Sequence, residues 1–343
     1  VSDDPAPAPH RRRPRYSGKN PRRFEQKYKE LGATDAATVA KVLASGKTPA
    51  GTHRPIMVQE ILELLRPATG NVVADCTLGY GGHALELLKR ITPGGRLIAL
   101  DLDPIELPKT EARLRGLGYG PELFTAHLSN YAGLAKILAT HGLQADAILA
   151  DLGLSSMQID DPARGFSVKE DGPLDMRMNP QRGQPASEFL RKTSPEKLAV
   201  ILHEHADEPR AELLARVLAS RSFETTAALR EAIAAAVASR PAEECALTIR
   251  RVFQAIRIAV NDEFSALDAF LRLLPECLAP GGRVAILTFH SGEDRRVKKA
   301  FEHGLRERDY GEIAHDVIRP SAAERRENLR SGAAKLRWAT KAV

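Results

Sequence analysis

The sequence predicts an α/β fold, a parallel doubly wound sheet interrupted by a block of helices. Three observations carry that prediction. Short apolar runs at 72–75, 97–101 and 147–151 alternate with helical periodicities, the pattern of successive βαβ units. Each run ends in an aspartate, Asp75, Asp101 or Asp151, at the edge where parallel sheets bind ligands. The alternation then stops: residues 185–238 are Ala- and Leu-rich and helical in pattern, and strand signals return only at 284–289.

Taken in order, residues 1–23 are rich in Pro and Arg without apolar periodicity, which predicts a disordered arm. Residues 24–47 are weakly helical. Ile56, Met57, Glu60, Ile61, Leu64 and Leu65 form an amphipathic helix stopped by Pro67. Strand 72–75, a glycine loop and helix 83–90 follow, then the turn Pro93-Gly94-Gly95 and strand 97–101. Helix 105–116 is broken by Gly118–Pro121. Strand 123–125, helix 131–140 and strand 147–151 complete the run. Loop-like residues 152–184 lead into the helical block. One long helix is expected over 248–274, then the turn Pro280-Gly281-Gly282, strand 284–289, and an edge hairpin from 313–318 and 335–340. The organisation reads as an arm and short helix (1–50), a first α/β half (51–160), a helical insertion (161–247) and a second α/β half (248–343).

The 343 residues are 43% hydrophobic and 27% charged, with a net charge of +6, an ordinary globular composition. The charge is uneven. Residues 1–30 hold nine Lys/Arg against four Asp/Glu, and residues 319–343 hold seven against two, leaving a mildly acidic body. Basic ends suit a polyanionic partner such as nucleic acid. No apolar run is long enough for a membrane span, and residues 1–30 show no secretory signal pattern. Three widely spaced cysteines, Cys76, Cys245 and Cys277, predict neither a disulfide framework nor a zinc site, and a reducing cytoplasm is the expected location.

Asp75-Cys76-Thr77-Leu78-Gly79-Tyr80-Gly81-Gly82-His83 joins the first strand to its helix. Glycines there let the backbone approach a ligand at a helix N-terminus. NAD and S-adenosylmethionine both fit the spacing, but Asp75 would repel a pyrophosphate and attract a sulfonium and an ammonium. Asp101, ending the second strand, can accept the ribose hydroxyls of either cofactor; Asp103 is expected to cap the next helix. Asp151 precedes a Gly-Ser loop, well placed for a reacting group. Arg250, Gln254, Arg257 and Asn261 share one helix face, which reads as an RNA-gripping stripe or as an ordinary polar face. His290 and Ser291 are adjacent at a strand end and do not form a hydrolase pair. His203-Glu204-His205 lacks metalloprotease spacing, and no metal is expected.

These pieces together resemble the RsmH (MraW) family, which methylates N4 of a cytidine in bacterial 16S ribosomal RNA. The resemblance spans about residues 52–341. It rests on His53-Arg54-Pro55-Ile56, the Asp75–His83 loop, Asp151-Leu-Gly-Leu-Ser-Ser-Met-Gln-Ile-Asp160, Arg164-Gly-Phe-Ser167 and Gly172-Pro-Leu-Asp-Met-Arg-Met178. Further matches are Phe253-Gln-Ala-Ile-Arg-Ile-Ala-Val-Asn-Asp-Glu263, Phe289-His-Ser291 with Glu293-Asp-Arg295, and Asn328 with Ala334-Lys-Leu-Arg337.

The resemblance implies a class I (Rossmann-like) S-adenosylmethionine methyltransferase with an inserted helical domain after the fourth strand. It implies donor contacts at Gly81, Gly82, His83, Asp101, Asp151 and Gln158, joined by Asp75 and Gly79 from the loop reading, with Tyr131 beside the adenine. Asp151 is the expected catalytic group, and His290 or Ser291 is expected to hold the base edge. The implied partner is 16S rRNA in the small subunit or an assembly intermediate. The oligomeric state stays open, a homodimer included. Gly292 stands where the family usually has Leu, and residues 1–50 are an extension. The competing readings are a methyltransferase of the same family acting on a different RNA target, a NAD-dependent oxidoreductase and a non-catalytic ribosome-assembly factor.

Overall fold

The computed structural model describes residues 55–343. The basic arm, the 24–47 helix and His53-Arg54 lie outside the described residues. Helix α1 (Val58–Leu65) precedes strand β1 (Val72–Asp75), helix α2 (Gly82–Ile91), strand β2 (Arg96–Asp101), helix α3 (Glu106–Gly116), strand β3 (Phe124–Leu128), helix α4 (Leu134–Thr140) and strand β4 (Ala145–Asp151). A short helix α5 (Ser156–Asp160) leads to four helices: α6 (Ala186–Lys192), α7 (Pro195–Ala206), α8 (Ala211–Leu218) and α9 (Thr226–Ala236). Helices α10 (Ala242–Val260) and α11 (Glu263–Cys277) return the chain to strand β5 (Leu278–Thr288), helix α12 (Ser291–Arg306), strand β6 (Tyr310–Ile313), helix α13 (Ala322–Glu327) and strand β7 (Lys335–Lys341).

The sheet runs β3-β2-β1-β4-β5-β7-β6. The first five strands are parallel and β7 inserts antiparallel between β5 and β6. Alternate strand residues feed opposite faces, as the two-residue period of a strand requires. Ala74, Ile98, Leu100, Ile148, Ala150, Val284 and Ile286 enter the core under α4, α11 and α12. Val73, Leu97, Ala99, Ala147, Leu149, Ala285 and Leu287 enter the core under α1, α2 and α3. A third core unites α6 to α9 with Val252, Phe253, Ala255 and Ile256 of α10, so α10 packs with the insertion as well as leading out of it. No helix among the described residues is long and apolar enough to cross a membrane. All three cysteines are free.

Two element expectations are corrected. The single helix over 248–274 is two helices, because Asp262 takes a left-handed conformation (φ +52°). Its apolar residues continue in phase across the break, which is why periodicity did not reveal it. The strand expected at 313–318 begins and ends earlier, at Tyr310–Ile313. Tyr310 is buried edge-on against Phe301 with centroids 5.5 Å apart, and Ile318 makes only an isolated bridge to Leu336.

Strand β7 is fastened to α12 by charge. Asp294 accepts from Arg337 Nε at 2.6 Å and Lys335 Nζ at 3.0 Å. Burial pushes the Asp294 carboxyl up, but the hydrogen bonds from Arg337 and Lys335 outweigh it and hold the group below its ordinary range. Arg337 is buried, so losing its partner strands a charge. Asp294→Ala is expected to lower the urea-unfolding free energy by about 2–3 kcal/mol. A change below about 0.5 kcal/mol, typical of exposed pairs, would show that the pair does not hold β7.

Candidate active site

A cavity of about 370 Å³ opens at the carboxyl ends of β1, β2 and β4, where the strand order reverses between β1 and β4. Its floor is the loop Cys76–His83. Gly81 has φ +72°, and a Cβ there would come 2.8 Å from Thr110 Cγ2. The loop is pinned from α3: Thr110 Oγ1 donates to Gly79 O at 2.6 Å, and Arg113 donates to Tyr80 O while its guanidinium covers the Tyr80 ring. These contacts keep the loop open and its inner face free for a ligand.

Asp101 and Asp151 line the cavity. Asp101 Oδ2 accepts from Gly79 N at 2.6 Å and Oδ1 from Asp103 N at 2.8 Å. Each oxygen keeps a lone pair for a further donor. Burial lifts the Asp101 carboxyl to about 6, against the pull of the Asp103 and Gly79 amides. Asp151 N donates to Thr77 Oγ1 at 2.7 Å, and its Oδ2 lies 3.6 Å from His83 Nε2. Asp75 sits beneath the loop rather than on the cavity wall. It is 1% exposed; Oδ1 accepts from Thr77 N, and Oδ2 is buried without a hydrogen bond. Burial raises its carboxyl to about 6, opposed by His83 and Thr77. His83 Nε2 is likewise buried and unbonded. A cation bound against the loop would lie over a buried carboxylate oxygen that has no hydrogen bond of its own.

Tyr131 lines the opposite wall, packed edge-on to Phe270 at 5.5 Å, with its hydroxyl donating to Glu263 O at 3.1 Å. Gln158 reaches the cavity, but both ends of its amide are engaged: Oε1 accepts from Ser155 N and Nε2 donates to Asp103 Oδ2 at 2.9 Å. It therefore braces the site. His290 lines the cavity as the N-cap of α12. Its Nε2 is 3.0 Å from Glu293 Oε1, without hydrogen-bond geometry. Ser291 is placed elsewhere: it is not a cavity-lining residue, and its hydroxyl donates to Asp207 of the insertion at 2.9 Å. Adjacent residues at a strand end point apart, and here only the first points in.

The polar stripe on α10 is spent internally. Arg257 grips Glu263 with two bonds of 2.8 and 2.9 Å. Gln254 donates to His205 O, and Asn261 bonds Met176 O and Met178 N. Of the four, only Arg250 is exposed. Sequence reasoning also missed the weight carried by Asp103. It caps α3 as expected, through Ile105 N and Glu106 N, but its other oxygen accepts from Arg164 Nη1 at 2.8 Å in a buried ion pair. Arg330, which no sequence motif singles out, reaches the cavity and bonds Asp160 at 2.7 Å.

The wall is acidic. Asp101, Asp103, Glu106, Asp151, Glu263 and Glu293 line it; Asp103, Glu106 and Glu263 are paired with Arg164, Lys109 and Arg257, and the other lining arginine, Arg330, with Asp160, which leaves Asp101, Asp151 and Glu293 without a Lys or Arg partner among the described residues. That field opposes a pyrophosphate and suits a cationic ligand. It also costs stability. A carboxylate with a raised folded pKa contributes stability that is present below its unfolded pKa and lost as pH rises through the folded value. For Asp75 that window runs from 3.8 to about 6. Asp75→Asn is therefore expected to raise the unfolding free energy of the ligand-free protein at pH 7.5 by about 1–3 kcal/mol, with the gain vanishing towards pH 4. Thermal melts at the two pH values check this; an equal gain at both would contradict a charge origin.

Residues 50–342 match the model of the MraW methylase family. The "Ribosomal RNA small subunit methyltransferase H 2" of Alkaliphilus metalliredigens is 50% identical over 341 residues, covering 96% of this chain and 97% of the relative. The "Ribosomal RNA small subunit methyltransferase H 1" of Lachnoclostridium phytofermentans is 48% identical, over 97% of this chain and 93% of the relative. That of Agathobacter rectalis is 46% identical, over 97% and 98%. Matches this long take in most of residues 1–50, so the extension is shared with these relatives. On the length of the family match and the identity of these relatives, the chain belongs to the MraW methylase family.

Proposed function

We propose that this chain transfers a methyl group from S-adenosylmethionine to N4 of a cytidine in 16S rRNA, within the small ribosomal subunit or an assembly intermediate. The observation that carries the reading is the acidic cavity over a glycine loop, with Asp75, Asp101 and Asp151 at three neighbouring strand ends. Relatives of up to 50% identity named as small-subunit rRNA methyltransferases support the substrate class.

The donor fits the residues present. Asp101 would take the ribose hydroxyls, Tyr131 would flank the adenine, and the Gly79–His83 backbone with Asp75 beneath it would receive the cationic end. When bound, the donor supplies an electrophilic methyl on a positively charged sulfur. The rest belongs to the protein. The cytosine amine is a weak nucleophile, because its lone pair is conjugated with the ring. The cavity would align it and, with donor and base both seated, exclude water. Asp151 would accept an N4 hydrogen, turning the nitrogen lone pair out of conjugation, and take the proton as the N–C bond forms and the methyl–sulfur bond breaks, its electron pair staying on sulfur to leave a neutral thioether. His83, 3.6 Å away, steadies that carboxylate. His290, fixed beside Glu293, borders the space for the base. The base must leave its stack to enter, and looped, unpaired RNA offers this at least cost.

Small subunits from a strain lacking this gene, incubated with purified protein and radiolabelled donor, are expected to yield N4-methylcytidine on nucleoside analysis. Label on another nucleoside, or none, would contradict the proposal. Asp151→Ala is expected to keep its melting temperature and lose at least about a hundredfold in turnover. Donor affinity should also fall as pH drops below about 6, where Asp75 and Asp101 take up protons. Calorimetry showing the same affinity at pH 7.5 and 5 would remove the electrostatic part of the account.

A further inference from the structure

We propose that Leu329 is an apolar wedge for RNA, filling the gap in the base stack when the target nucleotide leaves it for the cavity. The proposal rests on the RNA-methylation reading above and adds a residue and a role to it. Leu329 is 86% exposed, far more than Ile105, Leu117, Leu128, Val200, Leu213 or Leu247. An apolar side chain that naked is normally folded away. It is not on a loose end. Asn328 Oδ1 accepts from Arg330 N at 3.2 Å, and Ser331, fully buried, donates through Oγ to Asn328 O at 2.8 Å. Ala334, also fully buried, donates to Ser331 O. The turn is thus anchored on both sides of Leu329 and holds it out. The next residue, Arg330, lines the cavity, so the wedge is attached one residue from the space a base would enter.

The surroundings suit a phosphate backbone. Arg319, Arg325 and Arg326 are exposed or half-exposed, and their side chains make no ion pair or hydrogen bond among the described residues. Of the two acids on the same helix, Glu324 is turned inward to accept from Met57 N at 2.8 Å, while Glu327 is exposed beside the arginines. An apolar tip that directly follows a helix carrying free arginines matches proteins that insert a side chain between bases while gripping the flanking phosphates.

The test compares wild type, Leu329→Ser and Leu329→Met on unmethylated small subunits, with donor affinity, melting temperature and sedimentation measured on the same preparations. Leu329→Ser is expected to lower kcat/KM at least tenfold with donor affinity and melting temperature unchanged, since the side chain packs on nothing. Leu329→Met is expected to stay within threefold of wild type. Arg325→Glu combined with Arg326→Glu is expected to raise KM and reduce the log–log salt slope by ~0.7–0.9 for each phosphate no longer neutralised. Leu329→Ser within twofold of wild type, or Leu329→Met falling as far as Leu329→Ser, overturns the wedge. Normal turnover with altered sedimentation assigns Leu329 to contact between copies of this chain and also overturns it. A wild type that transfers no methyl overturns the RNA reading and the wedge with it, which separates the two failures.

Discussion

A carboxylate taken almost wholly out of water must have its oxygens satisfied, and Asp103, 1% exposed, meets that requirement by binding separate parts of the chain. One oxygen holds the first turn of α3 through Ile105 N and Glu106 N. The other holds Gln158 on α5 and Arg164 at the start of the insertion. Arg164 then reaches on to Met178 O at 2.8 Å, and Met178 N is held by Asn261 at the end of α10. The way into the insertion and the way out of it are thereby tied to the end of β2, beside the residue that pins the glycine loop. Together with the bonds from Ser291 and Arg295 of α12 to Asp207, this chain of bonds sets the position of the helical block over the cavity.

The cavity itself trades stability for function. Asp75 and Asp101 are lifted to about 6 by burial, so near neutral pH the empty protein holds charges it would be more stable without. On the proposed reading a cationic donor would compensate them on binding, which would make the binding energy partly a release of stored electrostatic cost. Arg257 and Glu263 show the opposite solution: a bidentate pair across the α10–α11 break neutralises itself and leaves the field to the aspartates. Glu293, buried beside them, is held below the ordinary carboxylate range, because His290 and Arg257 outweigh its burial.

The α/β half was legible because its signals are local. Apolar strands, glycine turns and strand-end aspartates occupy a few consecutive residues each, and the structure assembles Gly79, Gly81, Gly82, His83, Asp101, Tyr131, Asp151, Gln158 and His290 around one cavity. What stayed hidden depends on long separations. Asp103 and Arg164 are 61 residues apart, and nothing in either segment announces the other. The α10 stripe had the right period for a substrate face, but Arg257, Gln254 and Asn261 turn out to serve the seam, because tertiary partners and not spacing decide where a polar face points. Asp75 was placed in the right loop, although it acts from below it. The break at Asp262 is invisible to periodicity, since one residue in a left-handed conformation leaves the apolar phase intact.

The Asp103–Arg164 bond thus helps to position the insertion and, through it, the cavity proposed to hold the donor. Arg164→Met keeps the bulk of the side chain and removes the charge, and Arg164 is not itself a cavity-lining residue. The decisive measurement is amide hydrogen exchange on this variant with and without S-adenosylmethionine. Faster exchange is expected at 156–164 and 176–179, with unchanged protection in β1, β2 and β4 and a loss of donor-induced protection in the 76–83 loop. Wild-type exchange at 156–164 and 176–179, with full protection of the loop by the donor, would contradict that role for the bond.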